Sequence, residues 1–272
     1  MSRMRVLLIG STSLLGKALA VRLENRGDEV RFAGRSGSLQ LELGLGEPPE
    51  WAVRERFDAV VNLAGALSPE SAGSDRDMML VNSFGPLFAA QLAEAVGATR
   101  LVHISTCYVT DPAGYRGHPL YPLTKRHGDE LLAARIPQSP LTVTVLRPSH
   151  VYDDEGRCRP SQLGLYRLVD GALAGVETPV PEPGLSRDYL HIDDFCTAVL
   201  VALELDAGGV FDIVSPGSRS FEELARAAHE LVEGRPASEM NDEESAVSTL
   251  PGFRSVVSIE MGLSRIIEAA RA

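Results

Sequence analysis

The sequence predicts an α/β fold, a doubly wound parallel sheet with a small C-terminal lobe. Three observations carry that expectation. Short apolar runs alternate with helical stretches through the first half of the chain, which is the pattern of strands joined by crossover helices. A glycine-spaced turn, Gly10 to Gly16, stands between the first run and the first helix. Beyond Tyr152 the pattern loosens into a stretch rich in Gly, Pro and charge, as expected of a lobe rather than a sheet.

The elements follow in order. "MRVLLIG" is an apolar run ending at Gly10, and Leu15, Ala18, Leu19, Val21 and Leu23 then give the apolar stripe of a helix that Gly27 stops. "EVRFA" is the next strand and "DAVVNLAG" a buried one. Asp75 to Val96 reads as a long, mostly helical stretch ended by Gly97, before the strand "RLVHIS". A helix opening with Tyr121 leads through Pro137 and Pro140 to the strand "LTVTVLRP". Pro160 to Ala174 is helical, "HIDDFCTAVLVALEL" is a helix capped by Asp193, and "GVFDIV" is one more strand. Ser220, three residues before Glu223, forms a capping box that starts a further helix. The chain of 272 residues, 44% of them hydrophobic, suffices for one large unit. Its sheet core is expected at about 1–151 plus 187–215 and its lobe at about 152–186 plus 216–272, because the two interleave.

Bulk properties exclude several functions. Lys and Arg number 26 against 37 Asp and Glu, a formal charge of −11, so a nucleic-acid or anionic-membrane surface is not expected. Three widely spaced cysteines, Cys107, Cys158 and Cys196, suit neither a disulfide framework nor a metal site, and point to a reducing, cytoplasmic address. No apolar run reaches the ~18 residues of a membrane span.

The turn "GSTSLLG" places Gly10, Thr12, Ser13, Leu14, Leu15 and Gly16 where helix-end amides and the helix dipole can hold a pyrophosphate, which makes them candidates for dinucleotide binding. Ser13 stands where a middle glycine is usual. The end of the second strand decides between dinucleotides, since an acid there binds a ribose 2′-hydroxyl and a base accepts a 2′-phosphate. Here Arg35 and Ser36 occupy that end, which favours NADP over NAD. Tyr121 and Lys125, four apart, share a helical face, and an ammonium near a phenol is expected to draw its pKa from ~10 towards neutrality. Thr106, at the end of "RLVHIS", lies on the rim where doubly wound sheets bind ligands, so its hydroxyl can meet the same carbonyl or carbinol oxygen.

These motifs, with "YPLTK", "VTVLRPSHVY" and "SRDYLHIDD" in order, resemble the extended, sugar-nucleotide-modifying branch of the short-chain dehydrogenase/reductases, a Rossmann-type family of NAD-dependent epimerases and dehydratases. The turn "ISTCYVTD" is most similar to that of dTDP-4-dehydrorhamnose reductases. The resemblance implies Tyr121 as acid/base, Thr106 as its hydroxyl partner, and Lys125 as the residue that tunes it and binds the nicotinamide ribose. It gives Asn62, Leu63, Ala64, Gly65, Asn82 and Pro148 a place beside the cofactor, and Arg187 a place near a substrate diphosphate, against the alternative of an ion pair with Asp193 or Asp194. Thr106, Cys107, His150 and Arg187 are the candidates for substrate contact, although His150, like His103, also reads as a packed residue. Cys107 and Tyr108 replace the Asp-Glu pair of dehydratases, which disfavours dehydration. The implied activity is reduction of a keto group, most simply on a nucleotide sugar. An epimerase with tightly held NAD, and a non-catalytic NADP sensor or scaffold, are the alternatives. No metal is implied, and the long helices offer faces for a homodimer.

Overall fold

The computed structural model describes residues 3–10, 12–44, 46–180, 185–238 and 248–272. Ser11 of the glycine turn and, within the expected lobe, residues 181–184 and 239–247 lie outside that set. The chain forms two compact units, Met1–Arg147 with Val199–Phe211, and Pro148–Ala198 with Asp212–Ala272.

In the first unit the strands are β1 (Arg5–Ile9), β2 (Glu29–Gly34), β3 (Leu39–Gln40), β4 (Ala59–Asn62), β5 (Arg100–Ile104) and β6 (Thr142–Pro148). With β10 (Gly209–Ile213) they make a seven-stranded sheet in the order β10-β6-β5-β4-β1-β2-β3. Every pairing from β6 to β3 is parallel. β1 sits centrally with four consecutive buried residues, as a strand covered on both faces must. The helices are α1 (Leu14–Arg26), the short α2 (Pro69–Ala72) and α3 (Asp75–Met79), α4 (Gly85–Ala95) and α5 (Leu120–Arg135). Leu7, Ile9, Val60, Leu101 and Val145 of the sheet pack with Phe88, Leu92 and Leu132 of α4 and α5 into one apolar core.

Register places the functional ends together. Ile9 stands opposite Ala33 on one side and Asn62 on the other, Asn62 opposite His103, and Ile104 opposite Leu146. The turns that follow β1, β2, β4 and β5 therefore open on one rim.

The stretch Asp75–Val96 is helical but not uniform, because a π turn at Leu80–Phe84 separates α3 from α4. Its extra residue turns Asn82 and Ser83 inward against α5. Asn82 Nδ2 donates to Thr124 Oγ1 at 3.0 Å, and Ser83 Oγ donates to the Thr124 carbonyl at 3.0 Å. Close approach depends on Gly128, where a Cβ would run into the Asn82 carbonyl.

In the second unit β7 (His150–Tyr152) pairs in parallel with β9 (Tyr189–His191), and β8 (Ser186–Arg187) pairs antiparallel with β11 (Arg219–Ser220). Helices α6 (Leu163–Ala174), α8 (Phe221–Val232) and α9 (Ile259–Arg271) pack on one another, and α7 (Ile192–Ala202) follows β9 directly. The Ser220–Glu223 capping box forms as expected. α6 begins at Leu163 rather than Pro160. Asp193 does not cap α7. The helix already starts at Ile192, and His191 Nδ1 accepts the Asp193 N–H at 3.1 Å. Asp194 instead bonds outward, taking the Ser255 hydroxyl and the N–H groups of Val256 and Val257.

Candidate active site

The turn after β1 is built to let another group close to its backbone. Gly10 has φ 108°, a conformation that side chains rarely adopt, and a Cβ there would lie 3.2 Å from the Ala64 nitrogen. At Gly16 a Cβ would touch the Gly10 carbonyl at 3.4 Å, so helix and strand pack directly. Ser13, in the usual place of a glycine, has ordinary extended dihedrals, φ −63° and ψ 129°, and its hydroxyl accepts the Gly16 N–H at 3.2 Å. It caps α1, and the absence of an acid in the first turn leaves the positive helix end unopposed.

A cavity of about 720 Å³ opens over this turn. Gly10, Thr12 and Ser13 line it from β1, Arg35 and Ser36 from β2, and Leu63, Ala64 and Gly65 from β4. Leu14, Leu15 and Gly16 form the first turn of the capped helix behind it. Asn62 stays fully buried and reaches the cavity only through its Oδ1, which accepts the Ala64 N–H at 3.2 Å. Asn82 likewise acts from behind, accepting the Ala66 N–H and donating to the Ala66 carbonyl. Leu41, Glu42 and Leu43 also line the cavity, just past the two-residue strand β3. Sequence reasoning missed these residues, because a strand so short has no periodicity. The helix end, the glycine approach and the cavity fit a dinucleotide with its phosphates at Gly10 and residues 12–16 and its adenosine end near Arg35, Ser36 and Glu42.

The chemistry-bearing side chains meet on the same rim. Thr106 follows β5 and opens a short 3₁₀ turn, Cys107–Val109, in which its Oγ1 accepts the Tyr108 N–H. Its hydroxyl also acts on the Tyr121 phenol, favouring the charged form. Tyr115 packs its ring on Tyr121 with centroids 5.0 Å apart, and Tyr108 packs edge-on against Tyr115 at 4.8 Å. Lys125, one turn along α5, is buried, and its Nζ donates to the Ile104 carbonyl at 2.6 Å. A Cβ on Gly65 would lie 4.0 Å from that Nζ, so the lysine sits against the cavity wall.

The expected drop in the Tyr121 pKa is not seen. Burial, then the neighbouring Tyr115, pushes the phenol well above its ordinary value, while the Thr106 hydroxyl acts the other way. Burial also pulls Lys125 down to about 8, while Asp129 draws it up. A desolvated lysine committed to a carbonyl does little for the phenol, so Tyr121 keeps its proton.

Of the other candidates, Cys107 stands beside Thr106 in the 3₁₀ turn. Pro148, His150 and Arg187 belong to the second unit. His150 Nδ1 lies 3.0 Å from the Asp188 carbonyl oxygen, and burial, then Arg187, pulls its pKa down to about 4. The Arg187 guanidinium lies over the Phe221 ring at 5.4 Å and makes no ion pair with Asp193 or Asp194 among the described residues.

A doubly wound sheet, a glycine turn at a helix start, and a Thr, Tyr and Lys gathered on its rim define an NAD(P)-dependent enzyme of the short-chain dehydrogenase/reductase class. The chain belongs to the NAD dependent epimerase/dehydratase family, whose profile matches residues 6–214. It is 28% identical over 247 residues to a dTDP-4-dehydrorhamnose reductase of Streptomyces griseus, covering 86% of this chain and 78% of the relative. A dTDP-6-deoxy-L-talose 4-dehydrogenase (NAD(P)(+)) of Kitasatospora kifunensis is 29% identical over 228 residues, 73% of this chain and 69% of that one. Among solved structures, the UDP-glucose 4-epimerase of Thermotoga maritima superposes with a TM-score of 0.76 at 22% identity, over 98% of this chain and 99% of that one. No helix among the described residues is long and apolar enough to cross a membrane.

Proposed function

We propose that the protein reduces a keto group on a nucleotide-activated sugar, with NADPH as the preferred cofactor. The observation that carries this reading is Tyr121 under the influence of the Thr106 hydroxyl, with Lys125 one turn along α5 and against Gly65 of the cavity wall. A bound nicotinamide would supply hydride to the carbonyl carbon. Thr106 and Tyr121 would hold the carbonyl oxygen, and Tyr121, whose raised pKa keeps it protonated at neutral pH, would deliver its proton there. Lys125 would bind the ribose hydroxyls and offset charge on the phenolate left behind. The dTDP-sugar names of the two relatives support a nucleotide-sugar substrate. Arg35 and Ser36 on the cavity support NADPH, since a guanidinium can grip a 2′-phosphate.

Glu42 favours a second reading. A carboxylate in the same cavity would accept a free 2′-hydroxyl and repel a 2′-phosphate, which suits NAD held through an epimerase cycle. Such a cycle first needs Tyr121 as a base, and its raised pKa opposes that step.

Oxidation of NADPH against NADH, followed over a panel of keto-sugar nucleotides and simple carbonyls, tests the proposal. The expected outcome is turnover with a keto-sugar nucleotide, faster with NADPH. Tyr121→Phe should lower kcat at least ~100-fold and leave cofactor affinity within a few-fold, in line with the loss of a general acid. Full activity in that variant would overturn the assignment. Dinucleotide that stays bound through purification, with no net NADPH consumption, would instead mark an epimerase.

A further inference from the structure

His103 stands on β5, three residues before Thr106, and reads as a packed residue in an apolar strand. It is 1% exposed, and Asn62, opposite it on β4, is fully buried. Polar side chains this far from water persist where their hydrogen bonds are met, so their partners decide what the pair is for. Those partners lead to the cavity wall.

A main-chain N–H can only donate, and that fixes each proton along the chain of contacts. Asn62 Oδ1 accepts the Ala64 N–H at 3.2 Å. The other arm of the same amide, Nδ2, therefore faces His103 Nδ1, 3.2 Å away. An amide nitrogen donates as well, so Nδ1 is the accepting nitrogen and carries no proton. Turning over either the amide or the ring tautomer would set one N–H against another. Burial above all holds the imidazole pKa well below its ordinary value, so the ring is neutral and its one proton sits on Nε2. Nε2 makes no hydrogen bond among the described residues, and neither does Asp129 Oδ1, 3.9 Å from it. A donor thus faces an acceptor. Asp129 is tethered through its other oxygen, Oδ2, which accepts from Arg147 Nε of β6 at 3.0 Å.

The other end of the chain lies where the glycine turn comes closest to β4. A Cβ on Gly10 would meet the Ala64 nitrogen at 3.2 Å and the Leu63 carbonyl carbon at 3.3 Å. Leu63, Ala64 and Gly65 in turn line the cavity. We propose that His103 is a positioning residue of this cavity: its accepting nitrogen holds the Asn62 amide in the one orientation that takes the Ala64 N–H, and so fixes the wall against which Gly10 packs. The inference rests on the reading of the cavity as the dinucleotide site. His103 acts through Asn62, at one remove from the cofactor.

Two substitutions separate this role from space filling. His103→Asn keeps an oxygen near the place of Nδ1 but leaves a void, whereas His103→Leu fills the space and offers no acceptor. NADPH affinity, by fluorescence titration, should fall about 3–10-fold in His103→Leu, the worth of one hydrogen bond, and stay within about 2-fold in His103→Asn. In ¹⁵N spectra the Ala64 amide should move in the Leu variant and hold its place in the Asn variant. A residue that only filled space would give the reverse order, with Leu tolerated and Asn harmful, and that order or equal losses in both would overturn the proposal. The imidazole ¹⁵N spectrum of the native protein adds a direct check, since the His103 pair, identified among six histidines by its loss in the variants, should show Nδ1 bare and Nε2 protonated. A proton on Nδ1 would overturn the contact. Should His103→Leu fail to fold, the native tautomer and the Ala64 amide of His103→Asn decide. Failure of the native protein to bind NADPH or NADH would instead reject the dinucleotide reading, while the tautomer and the Ala64 amide still judge the His103 contact.

Discussion

Tyr121 shows how far a single side chain can depart from what its spacing suggests. Four residues from Lys125 on α5 it reads as a tuned phenol, yet the surroundings reverse the direction of tuning. Tyr115 comes from an irregular loop, so its packing at 5.0 Å is not written in any periodicity. Asp188 offers a comparable case in the second unit. Its Oδ1 accepts from the Ser149 hydroxyl and the Ser215 N–H, both at 3.0 Å, but Oδ2 has no partner among the described residues. Burial raises its pKa from 3.8 to about 7, against those two hydrogen bonds. The folded state therefore binds a proton that the unfolded chain has lost, and stability falls as pH rises from about 4 to about 7. Thermal unfolding of Asp188→Asn, measured beside the native protein at pH 5 and pH 8, should show a smaller loss on going to pH 8. An equal loss in both would exclude Asp188 as its source.

At the level of elements, the contact of α5 with the π turn sets the site's geometry. Asn82 and Thr124 bond across it, and Gly128 lets the backbones meet. Gly128→Ala should cost about 1–3 kcal/mol by overpacking, against the gain in helix propensity that the same change brings at an open position. Urea denaturation would measure it, and an unchanged midpoint would show that the helix can shift freely. The glycine turn, the helix stop at Gly27 and the Ser220–Glu223 box were legible because each is a local signal with a local cause. Strands of two or three residues such as β3 and β7 were not, because they exist only through partners distant in sequence, and Glu42 reaches the cavity just past the first of them. The terminal helix α9 went unread although Ser258 caps it, and its apolar residues Ile259, Leu263, Ile266 and Ile267 do carry the helical spacing.

For the whole molecule, the parallel sheet with its covering helices followed from alternation, since parallel strands need crossover connections. The structural units change over at 147/148, 198/199 and 211/212. Of the sheet's two edge strands, β3 and β10, β10 is made last. Until residues 209–213 leave the ribosome, the outer main-chain groups of β6 have nothing to pair with, so a nascent or truncated product ending near Arg147 offers an open template to its own copies. A fragment of residues 1–147 should sediment as aggregate where the intact chain stays dispersed, and supplying the missing strand as a separate peptide should reduce that clumping.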